Sequence, residues 1–302
     1  MGPENGINLA RVTYFPLKEY ISRIKLSEEV LCHVEETSLT FDEYINKLIQ
    51  YDEKTILYFL LSSFNEEIKD TNLIENHLIS PKDIEEKNIF FDSLSISHKR
   101  IKDLHMFTTE EKEEYDYRKI DAWVRRKTGD TETIYWYGAN PEAIKRFMDD
   151  FIEIYRGKSV SAINSNPFIK SILVHLLIMR IHPFKDGNGR VSRMIQNMKF
   201  TELVNKAYGY QLKISPLHLS KSILLNKQTY YKKINGIYFD LIHDSNSEIN
   251  KYIDFMLYMF DEQIFYMSNH MQKIEDTLLR LENINSSEIE KMASGIKRVK
   301  KK

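Results

Sequence analysis

Residues 167–200 read PFIKSILVHLLIMRIHPFKDGNGRVSRMIQNMKF. From Pro167 to Arg180 the run is apolar almost all round. It falls short of the roughly 20 residues a membrane span needs, so it predicts a buried helix at the centre of the core. A loop punctuated by Pro183, Gly187 and Gly189 follows. A second helix comes next, with Val191, Ile195 and Met198 expected to face inward at helical spacing.

Composition extends the helical reading to the whole chain. Gly 10 and Pro 7 in 302 residues make about 6%, against a usual combined share of roughly 12%. Collagen-like, low-complexity and many-stranded architectures are disfavoured, because each needs more turns and breakers. With 42% hydrophobic and 29% charged residues the chain has enough apolar surface to fold. At roughly 150 residues per domain, the length predicts about two domains, or one with helical extensions.

On the N-terminal side of the core helix, Asn140-Pro141 is expected to open a helix from Glu142 to Tyr155, since Pro is tolerated at a first helical position. Between Trp123 and Tyr137, Thr128-Gly129-Asp130 separates runs rich in Val, Ile, Thr and aromatics, which predicts a β-hairpin. Ile96 to Thr108 reads as a helix with Ile101, Leu104 and His105 on one side. Leu17 to Leu61 shows the amphipathic pattern, as in Tyr44, Leu48, Tyr51 and Leu57. Thr71 to Asn76 continues it as a short helix before a boundary at Ser80-Pro81. From Pro216 onward the chain reads as further helix, ending in an amphipathic segment from Met267 to Leu281 and a basic tail, Lys297 to Lys302. That tail is expected to be solvated, and His175 to be a satisfied core histidine.

Lys+Arg 43 against Asp+Glu 44 gives a net charge of −1, so nucleic acid is not an expected partner. One cysteine, Cys32, excludes an internal disulfide and a cysteine-based zinc site. The start MGPENGINLA lacks the pattern of a secretory signal, and no window is apolar enough to span a membrane. These features predict a cytoplasmic, soluble protein.

His182 to Arg193, HPFKDGNGRVSR, concentrates unusual chemistry. Gly187 and Gly189 allow the N–H groups around Asn188 to converge just before a helix N-terminus, which is a phosphate cradle. Arg190 and Arg193 are three apart on the following helix and share a face toward polyphosphate oxygens. Asp186 beside the cradle is favourable once a divalent cation bridges it to phosphate, and Mg2+ suits one carboxylate plus phosphate oxygens. His182 is suited to act as a general base near neutral pH. Together these groups point to nucleotidyl or phosphoryl transfer. The same residues also read as two turn dipeptides, Asp186-Gly187 and Asn188-Gly189, beside a core histidine, although such dipeptides usually sit between alternating strands and here both flanks are helical.

HPFKDGNGRVSR resembles the full signature of the Fic family, His-Pro-Phe-x-[Asp/Glu]-Gly-Asn-Gly-Arg-x-x-Arg, without a departure. The resemblance extends more loosely over about residues 95 to 240. It implies a mostly α Fic-fold helical bundle with a β-hairpin flap and helical N- and C-terminal extensions. The implied divisions are 1–94, an N-terminal helical region, 95–240, the catalytic core, and 241–302, a C-terminal extension. The implied activity is protein adenylylation, the transfer of AMP from ATP to a protein hydroxyl with pyrophosphate leaving. By resemblance, His182 deprotonates the acceptor and Asp186 holds Mg2+. Gly187, Asn188 and Gly189 form the anion hole, Arg190 holds the β-phosphate and Arg193 the γ-phosphate. Phe184 anchors the loop, and Gly189 favours adenylylation over the kinase chemistry of the related Doc toxins. Ile134, Tyr135, Trp136 and Tyr137 resemble the flap that holds a target backbone by strand addition, and Tyr230 and Tyr231 resemble a pair lining the adenine pocket.

Thr71 through Asn76, TNLIEN, matches the inhibitory pattern [Ser/Thr]-x-x-x-Glu-[Gly/Asn] of self-inhibited Fic proteins. A glutamate at 75 paired with Arg193 would occupy the γ-phosphate position, leaving the enzyme off by default. The expected partners are ATP and a target protein bearing a Ser, Thr or Tyr hydroxyl, with the chain itself as a further acceptor and a second copy as a dimer partner. Removal of AMP, transfer of another nucleotide or phosphate group, and a non-catalytic nucleotide sensor are the alternative functions. An intact His182 argues against the last, because a pure binder needs no general base.

Overall fold

Asn166 starts the central helix by accepting hydrogen bonds from the N–H groups of Phe168 and Ile169, with Pro167 at the first helical position. In the computed structural model this helix is Pro167–Ile181, and every residue from Phe168 to Ile181 is buried. The structure describes residues 14–77, 93–109, 116–128, 131–157, 166–237 and 246–283, with backbone alone over 124–128, 131–137 and 272–283.

In chain order the helices are α1 (Leu17–Ser22), α2 (Glu28–Leu48), α3 (Glu53–Ile74), α4 (His98–Thr109), α5 (Ile144–Tyr155), α6 (Pro167–Ile181), α7 (Asn188–Tyr208), α8 (Ser220–Leu225), α9 (Lys227–Gly236) and α10 (Ser247–Asn283). Strands β1 (Trp123–Thr128) and β2 (Thr131–Tyr137) lie between α4 and α5 and pair antiparallel, Trp123 opposite Tyr137. The register shifts between Val124 and Arg125. Gly129 and Asp130 of the expected turn, the Ser80-Pro81 boundary and the basic tail from Lys297 to Lys302 lie outside the described residues.

Helix α6 packs along α7, while α3 lies against α7 and α8, and α10 runs beside α2. One hydrophobic cluster takes residues from the N-terminal helices (Leu17, Tyr44, Leu60), from α6 and α7, and from α10 (Ile253, Met256, Phe260). Phe168 on α6, Phe200 on α7 and Phe260 on α10 meet with ring centroids 5.0–5.2 Å apart. Such aromatic contacts add to the burial term itself. Among the described residues no helix is long and apolar enough to cross a membrane.

Three elements differ in detail from the expectation. Thr71 to Ile74 do not form a short separate helix; they are the last turn of the 22-residue α3, because nothing between Glu53 and Ile74 interrupts the helix. Asn140 caps a 3-10 turn, Pro141–Ala143, so the α-helix begins at Ile144 and not at Glu142. Met198 is half-buried, whereas Val191 and Ile195 have no exposed surface.

Candidate functional site

The site forms where α6 ends and α7 begins. His182 terminates α6 in the left-handed conformation, φ 53° and ψ 58°, a region only a few per cent of non-glycine residues occupy. Its Nδ1 lies 3.3 Å from the Met179 carbonyl, a partner that fixes Nδ1–H and puts the acceptor lone pair on Nε2. Burial pushes the pKa of this ring down to about 4. The Met179 carbonyl opposes that shift, Arg118 adds to it, and the carboxylates of Glu75 and Asp186 oppose it. His182 is therefore neutral at pH 7 and able to take a proton.

The loop from Pro183 to Gly187 is held from both sides. Phe184 has no exposed surface and stacks on His105 of α4 at 4.0 Å. The Asn188 side chain closes the loop reciprocally: its Oδ1 accepts from Phe184 N–H at 2.9 Å and its Nδ2 donates to the Phe184 carbonyl at 2.8 Å. His105 Nε2 is 2.9 Å from the Asp186 carbonyl. Gly187 has φ +77°, and a Cβ there would collide with Thr109 and crowd His105, so both conformation and space require glycine. The first N–H groups of α7, from Asn188 onward, have no acceptor within the helix and present a partial positive charge at this end. Asn188 thus shapes the cradle with its side chain and contributes to it through its backbone.

Two buried arginines stand on the first turns of α7. Arg190 donates to the Thr108 carbonyl at 3.1 Å, to Asn72 Oδ1 at 3.4 Å and to Asp186 Oδ2 at 3.0 Å. Arg193 is 1% exposed; its Nε donates to Thr71 Oγ1 at 2.7 Å, and its Nη2 to the Thr71 carbonyl at 3.0 Å and to Glu75 Oε1 at 2.8 Å. The Nη1 of Arg193 is buried with no hydrogen-bond partner among the described residues. Glu75 caps the end of α3, and its Oε2 accepts from Tyr231 O–H at 3.2 Å. A Cβ on Gly189 would collide with Glu75 Oε1, so glycine at 189 leaves the space that the glutamate fills over the N-terminus of α7. Next along the chain, Asn76 is left-handed at φ 61° and accepts from Lys227 Nζ at 2.8 Å.

Residues 95–198 match the Fic/DOC family. This stretch, about a third of the chain, is similar to a Fic domain. Solved structures similar to it include a Fic family protein from Desulfovibrio desulfuricans G20, with TM-score 0.55 at 15% identity over 85% of this chain and 78% of that one. A Fic domain containing signaling protein from Bacteroides thetaiotaomicron VPI-5482 gives TM-score 0.51 at 16% identity over 81% and 98%. A fragment of Fic-1 from C. elegans gives 0.54 at 13% identity over 87% and 75%. At these identities the likeness is one of fold.

Asp186, next to Gly187 in the loop, keeps 71% of its side chain exposed. Among the described residues no group of three or more His, Cys, Asp or Glu gathers to hold a metal. One exposed carboxylate fits a Mg2+ shared with phosphate oxygens and water, and does not fit an all-protein cage.

A cavity of about 1580 Å³ opens beside the end of α3, bordered by Ile74, Glu75, Asn76, Lys227 and Tyr231. Tyr230 departs from the expected pair. It has no exposed surface, its O–H lies 3.0 Å from His175 Nε2, and its ring centroid is 5.3 Å from that of Tyr231. Of the two, Tyr231 alone borders the opening. His175 is a satisfied core histidine, with Tyr252 O–H at 2.6 Å from its other nitrogen.

Ile134, Tyr135, Trp136 and Tyr137 lie on β2, with Ile134 opposite Arg125 and Trp136 opposite Val124; their side chains lie outside the described residues. Sequence reasoning missed Arg118, which binds the His182 carbonyl at 2.7 Å, and the parts played by Asn72 and Thr108 against Arg190. No local periodicity marks these residues; they are distant in sequence from what they touch.

Proposed function

We propose that this protein is an adenylyltransferase that transfers AMP from ATP to a protein hydroxyl and is held inactive by its own Glu75. Fic domains generally carry out AMPylation or related nucleotide transfer. The observation that carries the finer reading is the placement of a neutral His182 beside a helix N-terminus and two buried arginines, with a carboxylate already seated on Arg193.

In the reaction the Nε2 lone pair of His182 takes the proton of the acceptor hydroxyl. The hydroxyl oxygen forms a bond to the α-phosphorus, and the bond from that phosphorus to the bridging oxygen breaks. Pyrophosphate leaves with the electron pair, and AMP remains on the target. The N–H groups from Gly187 to Gly189 face the charge that builds on the phosphoryl oxygens. Arg190 and Arg193 hold the β- and γ-phosphates. Asp186 would hold Mg2+, which neutralises charge on the phosphates. The β1–β2 hairpin would take the target as an added strand, positioning the acceptor by its backbone, and Tyr231 would line the adenine pocket.

Seated as it is, Glu75 keeps Arg193 from a γ-phosphate and narrows the entrance to the α7 N-terminus. Removal of its side chain is therefore expected to switch the enzyme on. The test compares the Glu75→Gly variant given Mg2+ with ATP labelled on the α- or on the γ-phosphate. Retention of the α-label alone supports adenylylation, retention of the γ-label indicates kinase chemistry, and retention of neither overturns both.

A further inference from the structure

Arg118 lies outside the signature and between α4 and β1, and it is 6% exposed. Its guanidinium is spent on backbone carbonyls. Nε donates to His182 at 2.7 Å, Nη1 to Ile120 at 2.7 Å, and Nη2 to Ala139 at 2.5 Å and Ile181 at 3.5 Å. Its own N–H donates to the Pro183 carbonyl at 2.9 Å. One residue thus holds three successive carbonyls, 181 to 183, across the turn where α6 stops.

Three physical needs meet at this point. The last carbonyls of a helix lack intrahelical donors, and Arg118 supplies them where no glycine-based cap does. A cation at a helix C-terminus is favoured by the helix dipole. A left-handed histidine persists only where its surroundings over-determine it. The planar fork of an arginine reaches several acceptors at once, as an ammonium group does not. Burial lowers the pKa of Arg118 to about 10, with Asp121 opposing, so it stays charged at pH 7.

The other two acceptors, Ile120 and Ala139, flank the two strands at the foot of the hairpin. Gly138 makes room for this clasp: a Cβ there would sit 2.6 Å from Arg118 Nη2 and 3.0 Å from the His182 Cβ. The Ala139 N–H donates to the same Ile181 carbonyl at 3.1 Å. The foot of the hairpin and the backbone of His182 are therefore bonded to one guanidinium.

We infer that Arg118 is a positioning residue for His182, clasping the foot of the β1–β2 hairpin to the turn that carries the base, so that the surface receiving the target and the group deprotonating it are held in one frame. The inference rests on the proposed adenylyltransferase reading. It adds a dependence of the base on a residue about sixty positions upstream.

The experiment places Arg118→Lys and Arg118→Gln in the Glu75→Gly background. It measures kcat and KM for ATP in self-labelling, and follows the His182 imidazole through a pH titration by NMR. Loss of position is expected to lower kcat about 100-fold, with KM for ATP within about twofold in both variants. The His182 titration is expected to move to higher pH in Arg118→Gln, because Arg118's charge depresses it, and to move less in Arg118→Lys, which keeps the charge. An unmoved titration in folded Arg118→Gln, an unchanged kcat, or a kcat that falls only with the melting temperature overturns the proposal. So does the failure of every Arg118 variant to fold, which assigns the residue to stability. If no protein labels under any condition, the adenylylation reading fails separately, and the titration still decides whether Arg118 governs His182.

Discussion

Replacing Glu75 by alanine isolates the competition at Arg193. In the resting protein Arg193 Nη2 donates to Glu75 Oε1 at 2.8 Å, and the other carboxylate oxygen takes Tyr231 at 3.2 Å. A hydrogen bond to a charged group contributes about 1.5–3 kcal/mol. Glu75 keeps 26% of its side chain exposed against 2% for Arg193, so solvent screening puts the pair at the lower end, about 1.5–2 kcal/mol. In the proposed reaction, ATP seats its γ-phosphate on Arg193 and must first displace that bond. Glu75→Ala is therefore expected to tighten Mg2+–ATP binding roughly 10–30-fold, at about 1.4 kcal/mol per factor of ten. The nucleotide-free variant is expected to lose about the same 1.5–2 kcal/mol of stability. Titration calorimetry with a non-hydrolysable ATP analogue reads the first effect, and denaturant unfolding with and without the analogue reads the second. A dissociation constant within about threefold of wild type in a folded Glu75→Ala protein would refute the competition.

Three further outcomes follow from the same geometry. Asn188→Ala strips both bonds from the Phe184 backbone and leaves its buried N–H without an acceptor; it is expected to cost about 1–3 kcal/mol in denaturant unfolding and to lower labelling even though the arginines are untouched. His182 has its pKa depressed to about 4, so it becomes protonated and loses its base function only as pH falls toward that value; labelling by Glu75→Gly is expected to be flat from about pH 6 to 8, and a step near 6.5, the ordinary histidine value, would contradict the buried environment. Glu67, buried one helical turn before Thr71, accepts from Asn197 Nδ2 at 3.0 Å and from Ser220 N–H and Oγ at 2.9 and 2.7 Å; Glu67→Ala is expected to cost about 1–3 kcal/mol and to raise labelling in an otherwise wild-type chain, by loosening the register of α3 on α7.

Much of this molecule is legible in its sequence because the decisive residues are contiguous. A helix apolar on every side has only one place to go, and α6 is buried over its length. The loop signature brings base, carboxylate, glycines and arginines together within twelve residues. Tertiary closure is what a linear reading lacks. Asn188 reads as part of an anion hole, yet its side chain closes the loop, a function visible only once Phe184 is seen across from it. Tyr230 and Tyr231 read as a pair, yet Tyr230 is fully buried against His175 and only Tyr231 borders the cavity, a difference set by packing partners distant in sequence. Arg118 carries no periodic or motif signal, because its partners are carbonyls, which every residue has. The extent of α3 is hidden for a simpler reason: TNLIEN at its end resembles a separate short helix when no breaker marks where the longer one starts.

A transferase held off by its own carboxylate must gain labelling when that carboxylate is removed and lose it with the base. The most direct measurement incubates wild type, Glu75→Gly and a Glu75→Gly/His182→Ala double variant with Mg2+ and α-phosphate-labelled ATP, and reads covalent label on the protein. Weak labelling of wild type, strong labelling of Glu75→Gly and none of the double variant are expected. Equal labelling of wild type and Glu75→Gly would contradict the brake, and undiminished labelling of the double variant would contradict His182 as the base.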